Sequence, residues 1–134
     1  WEIETSNDYM DKLKIKAPNI NTLCGNLSGG NQQKVILSKW LAAGVKLLIL
    51  DEPTKGIDVN ARAEFYALMN QFVEDGGCII MISSDMPEVI KVADRAYVMS
   101  EGRLTGELTR EEITEINLIS LANPVTDGSD KQAQ

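Results

Sequence analysis

Two short apolar runs and the amphipathic segment between them dominate the middle of the chain. Residues 47–50 and 78–82 form unbroken apolar runs, and polar residues follow each run directly. Continuous rather than alternating hydrophobicity predicts parallel strands that are covered on both faces. Residues 58–73 place apolar side chains at helical spacing, with Asp58 as the predicted N-cap. The order of strand, helix and strand with short links therefore predicts a βαβ unit.

Weaker patterns surround this unit. A short helix is predicted before about Ile15, with Thr5, Ser6 and Asn7 available as caps, and Pro18 follows it as a helix breaker. Further predicted elements are a helix at residues 31–43, a helix at 87–93, two strands at 95–99 and 104–108 around a Glu101-Gly102 turn, and a last helix that begins with a Thr109–Glu112 capping box and ends near Leu121.

Composition removes several kinds of chemistry. The 134-residue chain has no histidine, so Ser-His-Asp catalysis and His-ligated zinc are excluded. Its net charge is −7, and a chain this acidic is not expected to bind a nucleic acid backbone. Cys24 and Cys78 form no C-x-x-C pair and are interpreted as reduced thiols, while Cys78 and Trp40 are predicted to lie in the core. Because residue 1 is Trp, we expect a piece of a longer polypeptide.

Two adjacent carboxylates, Asp51 and Glu52, follow the first apolar run. Ligands of open parallel sheets gather beyond the carboxyl ends of the strands. Neighbouring residues point to different sides of the chain, so Asp51 could hold Mg²⁺ while Glu52 faces an attacking water. The alternative interpretation is that Asp51 only caps a turn begun by Pro53.

A glycine-rich loop, Leu27-Ser28-Gly29-Gly30-Asn31, opens a predicted helix. Free N–H groups, a hydroxyl and the positive end of a helix dipole together suit a phosphate. The alternative is a flexible loop in which Ser28 is an ordinary helix cap. The spacing of Gly25 and Gly30 also approaches that of a phosphate-binding loop. Since Asn31 stands where that motif needs Lys, and no apolar strand precedes it, we reject that interpretation.

Three motifs in a fixed order carry a resemblance to a known family: LSGGNQQK, LLILDEPTKGID and IIMISSD. Over about residues 19–122 they resemble the second half of an ABC-transporter nucleotide-binding domain. The longer stretches DEPTKGIDV and ISSDMPEV most resemble the C-terminal cassette of the fused, double-cassette ATPases of bacterial monosaccharide importers, of the ribose and galactoside type. This resemblance implies an α/β fold, a three-layer sheet with flanking helices similar to P-loop NTPases, as a partial domain that lacks the phosphate-binding loop.

The resemblance also implies a role for the glycine-rich loop. In this family ATP lies on the phosphate loop of one cassette and is covered by the signature loop of the other. The residues expected to contact ATP held by a facing cassette are Ser28, Gly29, Gly30 and Asn31. Asn31 stands where the family at large usually has Gln, and its smaller amide still donates and accepts hydrogen bonds.

The acidic residues and the segment after the second strand are assigned in the same way. Asp51 ends the Walker B strand and would hold Mg²⁺, whereas Glu52 occupies the position of the catalytic carboxylate. Asp58 lies in the D-loop and would link two ATP sites across an interface. Ser84 stands where the family has a switch histidine, with Ser83 before it. A serine cannot become cationic and reaches less far toward a γ-phosphate.

The resemblance implies an organisation and a set of partners. Residues 1–18 would end a helical subdomain, 19–122 would form the C-terminal part of the ATPase core, and 123–134 would be a disordered tail. ATP and Mg²⁺ are the expected cofactors. The expected partners are a facing cassette, integral membrane permease subunits and, indirectly, an extracytoplasmic sugar-binding protein. The expected location is the cytoplasmic face of the inner membrane.

Three functions remain open from the sequence. The first is an ATPase that drives monosaccharide uptake, although this chain alone is predicted to be inactive because the phosphate loop is expected upstream of Trp1. The second is a catalytically degenerate cassette that completes a partner's ATP site, which Ser84 favours. The third is a soluble ABC protein of DNA repair or translation. The acidic charge and the lack of an inserted coil or zinc hook count against the third.

Overall fold

The computed structural model describes residues 2–124, which divide into two compact units between Ile82 and Ser83. Both units combine helices and strands, which confirms the predicted α/β class. No helix within residues 2–124 has the length and apolar character needed to cross a bilayer. The predicted boundaries at residues 18 and 122 stay predictions. Residues 125–134 of the predicted tail lie outside the described residues.

The first unit contains the predicted βαβ arrangement. Its elements are α1 (Glu2–Lys12), a 3₁₀ turn (Cys24–Asn26), α2 (Gly29–Ala42), β1 (Leu47–Asp51), α3 (Val59–Glu74) and β2 (Cys78–Ile82). The two strands pair in parallel, with Leu47 opposite Cys78 and Asp51 opposite Ile82. Thr5, Ser6 and Asn7 lie inside α1, so the prediction that they cap it is wrong. The acidic residues Glu2 and Glu4 instead occupy its first turn, where the helix dipole favours negative charge.

The β1–β2 sheet is covered on one face only. Leu48 is 4% exposed and belongs to a core that also contains Leu37, Leu13, Phe65, Tyr66 and Met69. On the opposite face, Ile49 is 65% and Ile80 is 50% exposed, and Cys78 is exposed as well. The prediction that both faces are covered is therefore not met within residues 2–124. The prediction that Cys78 lies in the core fails for the same reason, because its side chain lies on this uncovered face.

Helix α2 buries one narrow stripe rather than a broad face. The buried residues of the stripe are Gly30, Lys34 and Leu37, which follow one another at helical spacing. Trp40 is 52% exposed, so the prediction that it lies in the core is wrong. The buried stripe of α2 therefore contains a charged residue, Lys34, and does not contain the aromatic Trp40.

The second unit packs a hairpin against two helices. Its elements are α4 (Met86–Val92), β3 (Arg95–Ser100), β4 (Arg103–Thr109), a 3₁₀ turn (Arg110–Glu112) and α5 (Glu115–Ala122). The hairpin turn has positive φ at Glu101 (49°) and Gly102 (76°), as a type I′ turn requires. The core of this unit consists of Ala96, Val98, Leu108, Ile113 and Leu118.

One predicted helix start in this unit lies in the wrong place. The Glu112 carboxylate accepts hydrogen bonds from the Thr109 N–H and hydroxyl, each 2.9 Å long. This pair closes the short 3₁₀ turn and not the last α-helix. Helix α5 begins at Glu115, and its N-cap Thr114, five residues after Thr109, accepts a hydrogen bond from the Asn117 N–H. The capping pattern was correct, but a second hydroxyl residue starts the longer helix.

Candidate functional site

The first group of candidate residues lies where β1 ends. Asp51 is the last residue of the strand and is exposed. Glu52 follows with φ of +46°, a left-handed conformation that costs a residue other than glycine about 1–2 kcal/mol. Its N–H donates to the carbonyl of Ile82 at 2.9 Å, so the last bond of the parallel ladder holds this bend in place. The bend turns Glu52 out of the line of the strand while Asp51 stays on it.

The turn after Glu52 leads directly to Asp58. Thr54 is 2% exposed and anchors the turn in the interior, and Gly56 has φ of +76°. Asp58 precedes α3 and accepts a hydrogen bond from the Ala61 N–H at 2.9 Å. The predicted N-cap is therefore confirmed. One short segment joins the strand-end carboxylates to the candidate D-loop residue.

The second group opens α2. Ser28 has the extended backbone of an N-cap residue, but its side chain makes no capping hydrogen bond. Its hydroxyl instead accepts a hydrogen bond from the Asn31 side-chain amide at 2.9 Å, and the residue is exposed. The alternative in which Ser28 is an ordinary helix cap does not describe this geometry. Since the oxygen accepts from Asn31, the hydroxyl proton can be donated to an acceptor outside the helix.

The Asn31 amide holds two segments at once. Its oxygen accepts a hydrogen bond from the Lys16 N–H at 2.9 Å, while its nitrogen donates to Ser28. Beside it, the Gln32 side chain donates to the Leu27 carbonyl at 2.8 Å. Both polar ends of the Asn31 side chain are used inside the protein. Each end keeps one further hydrogen-bonding position, so Asn31 can hold Ser28 and still contact a ligand.

The two glycines of this segment lie close to the start of α3. A Cβ atom built on Gly30 would lie 2.5 Å from the Ala61 Cβ, a distance that real Cβ contacts do not reach. A Cβ atom on Gly29 would lie 3.4 Å from the Ile57 side chain and 3.6 Å from the Gly56 carbonyl oxygen. The first turn of α2 thus packs against the segment that carries Asp58. The first N–H groups of a helix have no partner within it, so this end of α2 can donate to an anion.

The candidate switch residue, Ser84, belongs to the second unit. Ser84 is exposed and lies between two residues that build the start of α4. The Ser83 hydroxyl donates to the carboxylate of Glu88 at 2.6 Å and accepts from the Asp85 N–H at 3.0 Å. Asp85 then caps α4 by accepting from the Glu88 N–H. Ser84 therefore lies in a turn that the hydrogen bonds of Ser83 and Asp85 hold in place. Its own side chain is the short hydroxyl of serine.

Sequence reasoning missed two charged residues next to the site. The Lys34 ammonium donates to the Glu64 carboxylate at 2.6 Å, and the Lys34 side chain is 4% exposed. The hydrogen bond from Lys34, together with its positive charge, holds the pKa of Glu64 below its ordinary value. A signal was present in the sequence. Lys34 lies four residues after Gly30 and three before Leu37, so a charge interrupts an apolar helical stripe.

The residues present suit a nucleotide phosphate with a magnesium ion. No group of three or more acidic or cysteine side chains in the described part of the chain could hold a metal ion by itself. Magnesium is commonly bound by one or two carboxylates together with substrate phosphates, which an exposed Asp51 can satisfy. Ser28, Gly29 and Gly30 offer a hydroxyl and helix N–H groups that can donate hydrogen bonds to an anion. Asp51 therefore suits the metal ion, and the glycine-rich loop suits the phosphate.

Comparisons with known proteins agree with this chemistry. The family model described as ABC transporter matches residues 2–55. A ribose import ATP-binding protein of Yersinia pestis is 47% identical over 127 residues, covering 95% of this chain and 25% of the relative. The chain thus spans about a quarter of the length of that curated relative.

Solved structures show the same fold. An ATP-binding cassette of an ABC transporter in its ADP conformation superposes with a TM-score of 0.77 at 22% identity, covering 90% of this chain and half of that one. A dimeric cassette bound to ADP and Pi superposes with a TM-score of 0.69 at 20% identity, covering 80% of this chain and 46% of that one. This chain is part of an ABC transporter ATP-binding domain and is homologous to sugar import ATP-binding proteins.

Proposed function

We propose that this part of an ABC transporter ATP-binding domain supplies half of a composite ATP site in a bacterial importer of a monosaccharide such as ribose or a galactoside. In this function ATP hydrolysis is coupled to uptake of the sugar. The observation that carries the proposal is the state of Ser28. Ser28 occupies the N-cap position without a capping hydrogen bond from its side chain, and its exposed hydroxyl accepts a hydrogen bond from Asn31.

One set of residues would serve ATP that is bound to a facing cassette. The Ser28 hydroxyl and the N–H groups of Gly29 and Gly30 would donate to the oxygens of its γ-phosphate. Phosphoryl transfer depends mainly on positioning and on stabilising charge, so fixed donors of this kind contribute directly to the rate. Asp58 would link this contact to the other site of the pair, because its loop packs against the same end of α2.

A second set would serve ATP bound to the same cassette. Glu52 would orient the attacking water and accept its proton, and the strained backbone at Glu52 supports this role. Asp51 would hold Mg²⁺, which when bound neutralises charge on the phosphates. The two carboxylates can act separately because the bend at Glu52 directs it away from the line of β1.

The proposal includes the partners and the location of the complete protein. We propose a facing cassette, either fused or in a dimer, together with integral membrane permease subunits and an extracytoplasmic sugar-binding protein that acts indirectly. The name of the Yersinia relative, a ribose import ATP-binding protein, supports this arrangement. Such a protein would work at the cytoplasmic face of the membrane. The 134-residue chain by itself would not hydrolyse ATP.

The experiment measures ATP turnover by the complete protein that contains this segment. Ser28→Ala removes one donor to the phosphate, and we expect turnover to fall about 10²-fold, as for the loss of one fixed donor. Ser38→Ala is the matched control, because the Ser38 hydroxyl donates to the Val35 carbonyl within the same helix. Equal turnover in the two variants would refute the role of Ser28.

A second candidate function is a degenerate cassette that completes its partner's site without hydrolysing its own ATP. Ser84 favours it, because a serine cannot replace the charge and reach of a histidine. The two functions make opposite predictions for Glu52→Gln in the complete protein. Loss of the turnover contributed by this half supports the enzyme, whereas unchanged total turnover supports the degenerate cassette.

A further inference from the structure

Lys34 is a buried ammonium group at the meeting point of three segments. Its side chain lies on the buried stripe of α2 and is 4% exposed. The ammonium donates to the carboxylate of Glu64 in α3 at 2.6 Å and to the carbonyl of Lys14, which follows α1, at 3.3 Å. A buried charge is tolerated only when it is paired and hydrogen-bonded, and both conditions are met here.

This ion pair lies one helical turn behind the close contact between α2 and α3. At the front of α2, Gly30 leaves no room for a side chain against Ala61. Lys34 and Glu64 follow Gly30 by four residues and Ala61 by three, so they lie behind that contact on the same two helices. The two helices are therefore joined twice near their starts, by close packing in the first turn and by charge in the second.

The segment after α1 strengthens this attachment. Lys14 has φ of +51°, and its carbonyl points to the Lys34 ammonium. Two residues later, the Lys16 N–H donates to the Asn31 amide that orients Ser28. The loop after α1 thus contacts α2 at two points, Asn31 and Lys34. These two contacts fix the start of the helix to the loop.

We propose that Lys34 is a positioning residue that fixes the glycine-rich segment to α3, so that Ser28 and Asp58 meet a facing cassette as one rigid surface. This inference rests on the proposed function, in which both residues act across the same interface. It assigns a role to a residue that touches neither nucleotide nor metal. Without the link, the two contacts would have to be positioned independently.

Burial differs between the two partners, and this difference allows a sharp test. The Glu64 side chain is 48% exposed and stays hydrated when Lys34 is replaced. Lys34→Met fills the same buried space with an apolar chain, and such replacements of buried charges are often neutral for stability. Stability and positioning can therefore be separated, because Lys34→Met removes the link without leaving a buried charge unpaired.

The experiment uses the complete protein and three variants: Lys34→Met, Glu64→Gln and the double substitution. Lys39→Met is the matched control, since Lys39 is exposed on the same helix. Three quantities are measured: the thermal midpoint, the kcat and KM for ATP, and amide hydrogen exchange. Exchange is followed at Gln32 and Arg62, whose N–H groups bond to the Ser28 and Asp58 carbonyls and close the first turns of α2 and α3.

We expect Lys34→Met to keep the thermal midpoint of the unmodified protein and to accelerate exchange at Gln32 and Arg62 together. The kcat should fall about 10- to 100-fold while the KM stays within about twofold, as for a misplaced reacting group. Glu64→Gln should add nothing in the Lys34→Met background, because one link has already been lost. The control Lys39→Met should change none of these quantities.

Several results would overturn the proposal. Unchanged exchange at Gln32 or Arg62 in Lys34→Met would show that no such link exists. A loss of kcat that accompanies a lower thermal midpoint would show a role in stability alone, and an unchanged kcat would show that the link does not serve the reaction. If the Ser28→Ala variant hydrolyses ATP as fast as the unmodified protein, the proposed function has failed. The exchange measurement needs no ATP and tests the link separately.

Discussion

Two turns of this molecule contain the same backbone conformations in different settings. In the turn after β1, Glu52 has φ of +46° and Gly56 has φ of +76°. In the hairpin turn between β3 and β4, Glu101 has φ of +49° and Gly102 has φ of +76°. A glutamate and a glycine thus adopt left-handed conformations in each. In the hairpin they are adjacent, whereas in the site turn three residues separate them.

The difference shows which strained residue needs a functional explanation. A two-residue hairpin loop of type I′ requires positive φ at both central positions, so connectivity alone accounts for Glu101. A parallel strand that leads into a helix has no such requirement. The strain at Glu52 is instead held by the ladder bond to Ile82 and accompanies a carboxylate at the strand end. Nearly the same φ value therefore reflects turn geometry in one place and a candidate active site in the other.

The largest expected effect separates the two glutamates by activity. Glu52→Gln should lower the ATP turnover that this half contributes to the complete protein by about 10²–10⁴-fold, because an amide cannot accept the proton of the attacking water. Glu101→Gln, with the same change at the same φ, should leave turnover unaltered. Steady-state hydrolysis measured for both variants decides the matter. Equal turnover in the two would remove the functional explanation for the strain at Glu52.

The two glycines provide the next comparison. A Cβ atom would meet no other atom within 4 Å at Gly56 or at Gly102, so only the backbone opposes alanine. Gly56→Ala and Gly102→Ala should each lower the free energy of local unfolding by about 1–2 kcal/mol. Only Gly56→Ala should also reduce turnover, because its turn positions Asp58. Amide exchange around each turn, together with hydrolysis rates, tests this. A loss of turnover in Gly102→Ala would contradict it.

A smaller effect should follow from relieving the strain in the hairpin. Glu101→Asn creates an Asn-Gly pair, which is the preferred sequence for this turn. We expect the free energy of unfolding of the hairpin to rise by about 0.5–1 kcal/mol, with no change in turnover. Glu52→Asn should relieve the same strain but abolish the contribution of Glu52 to hydrolysis. Exchange protection of strands β3 and β4 measures the gain, and no gain would mean that the turn is unstrained.

The smallest effect concerns acid stability of the two units. The Lys34 ammonium lowers the pKa of Glu64, and the Thr109 N–H and hydroxyl lower the pKa of Glu112. A carboxylate with a lowered folded-state pKa contributes stability that is complete above its ordinary value of 4.5. That contribution is lost as the pH falls through the lowered value. Glu64→Gln and Glu112→Gln should therefore differ from the unmodified protein above this window and converge with it below.

Unfolding of the complete protein, followed at several pH values between about 3 and 7, checks this expectation. Asp75→Asn provides a control, because the Asp75 carboxylate, just after α3, accepts a hydrogen bond from the side-chain amide of the exposed Gln71. A difference between variant and parent that persists at the lowest pH would show that the contribution of Glu64 or Glu112 is not electrostatic.

The sequence predicted element types well because they depend on local periodicity. The runs at residues 47–50 and 78–82 became paired parallel strands, and Asp58 became the N-cap of α3. The sequence could not predict coverage. An apolar pattern indicates that a side chain prefers burial, but it does not show whether another element covers that face of the sheet. Cys78 was placed wrongly for this reason, because its face of the sheet is exposed.

The site was predictable at the level of motifs and not at the level of contacts. The motifs nominated Ser28, Asp51 and Glu52 as candidates, whereas the positive φ at Glu52 and the hydrogen bond from Asn31 to Ser28 required coordinates. Lys34 was missed because lysine on a helix is usually solvated. Its partner Glu64 lies 30 residues away, and pairings over such separations leave no local pattern.

The uncovered face of the β1–β2 sheet has a practical consequence for handling this segment alone. Ile49, Ile80 and Ile82 are each at least half exposed there, and two strands form a sheet with open edges in the described part of the chain. Such a surface binds hydrophobic dyes and favours intermolecular strand pairing. We expect the isolated segment to precipitate on concentration and to require a solubilising fusion partner during purification.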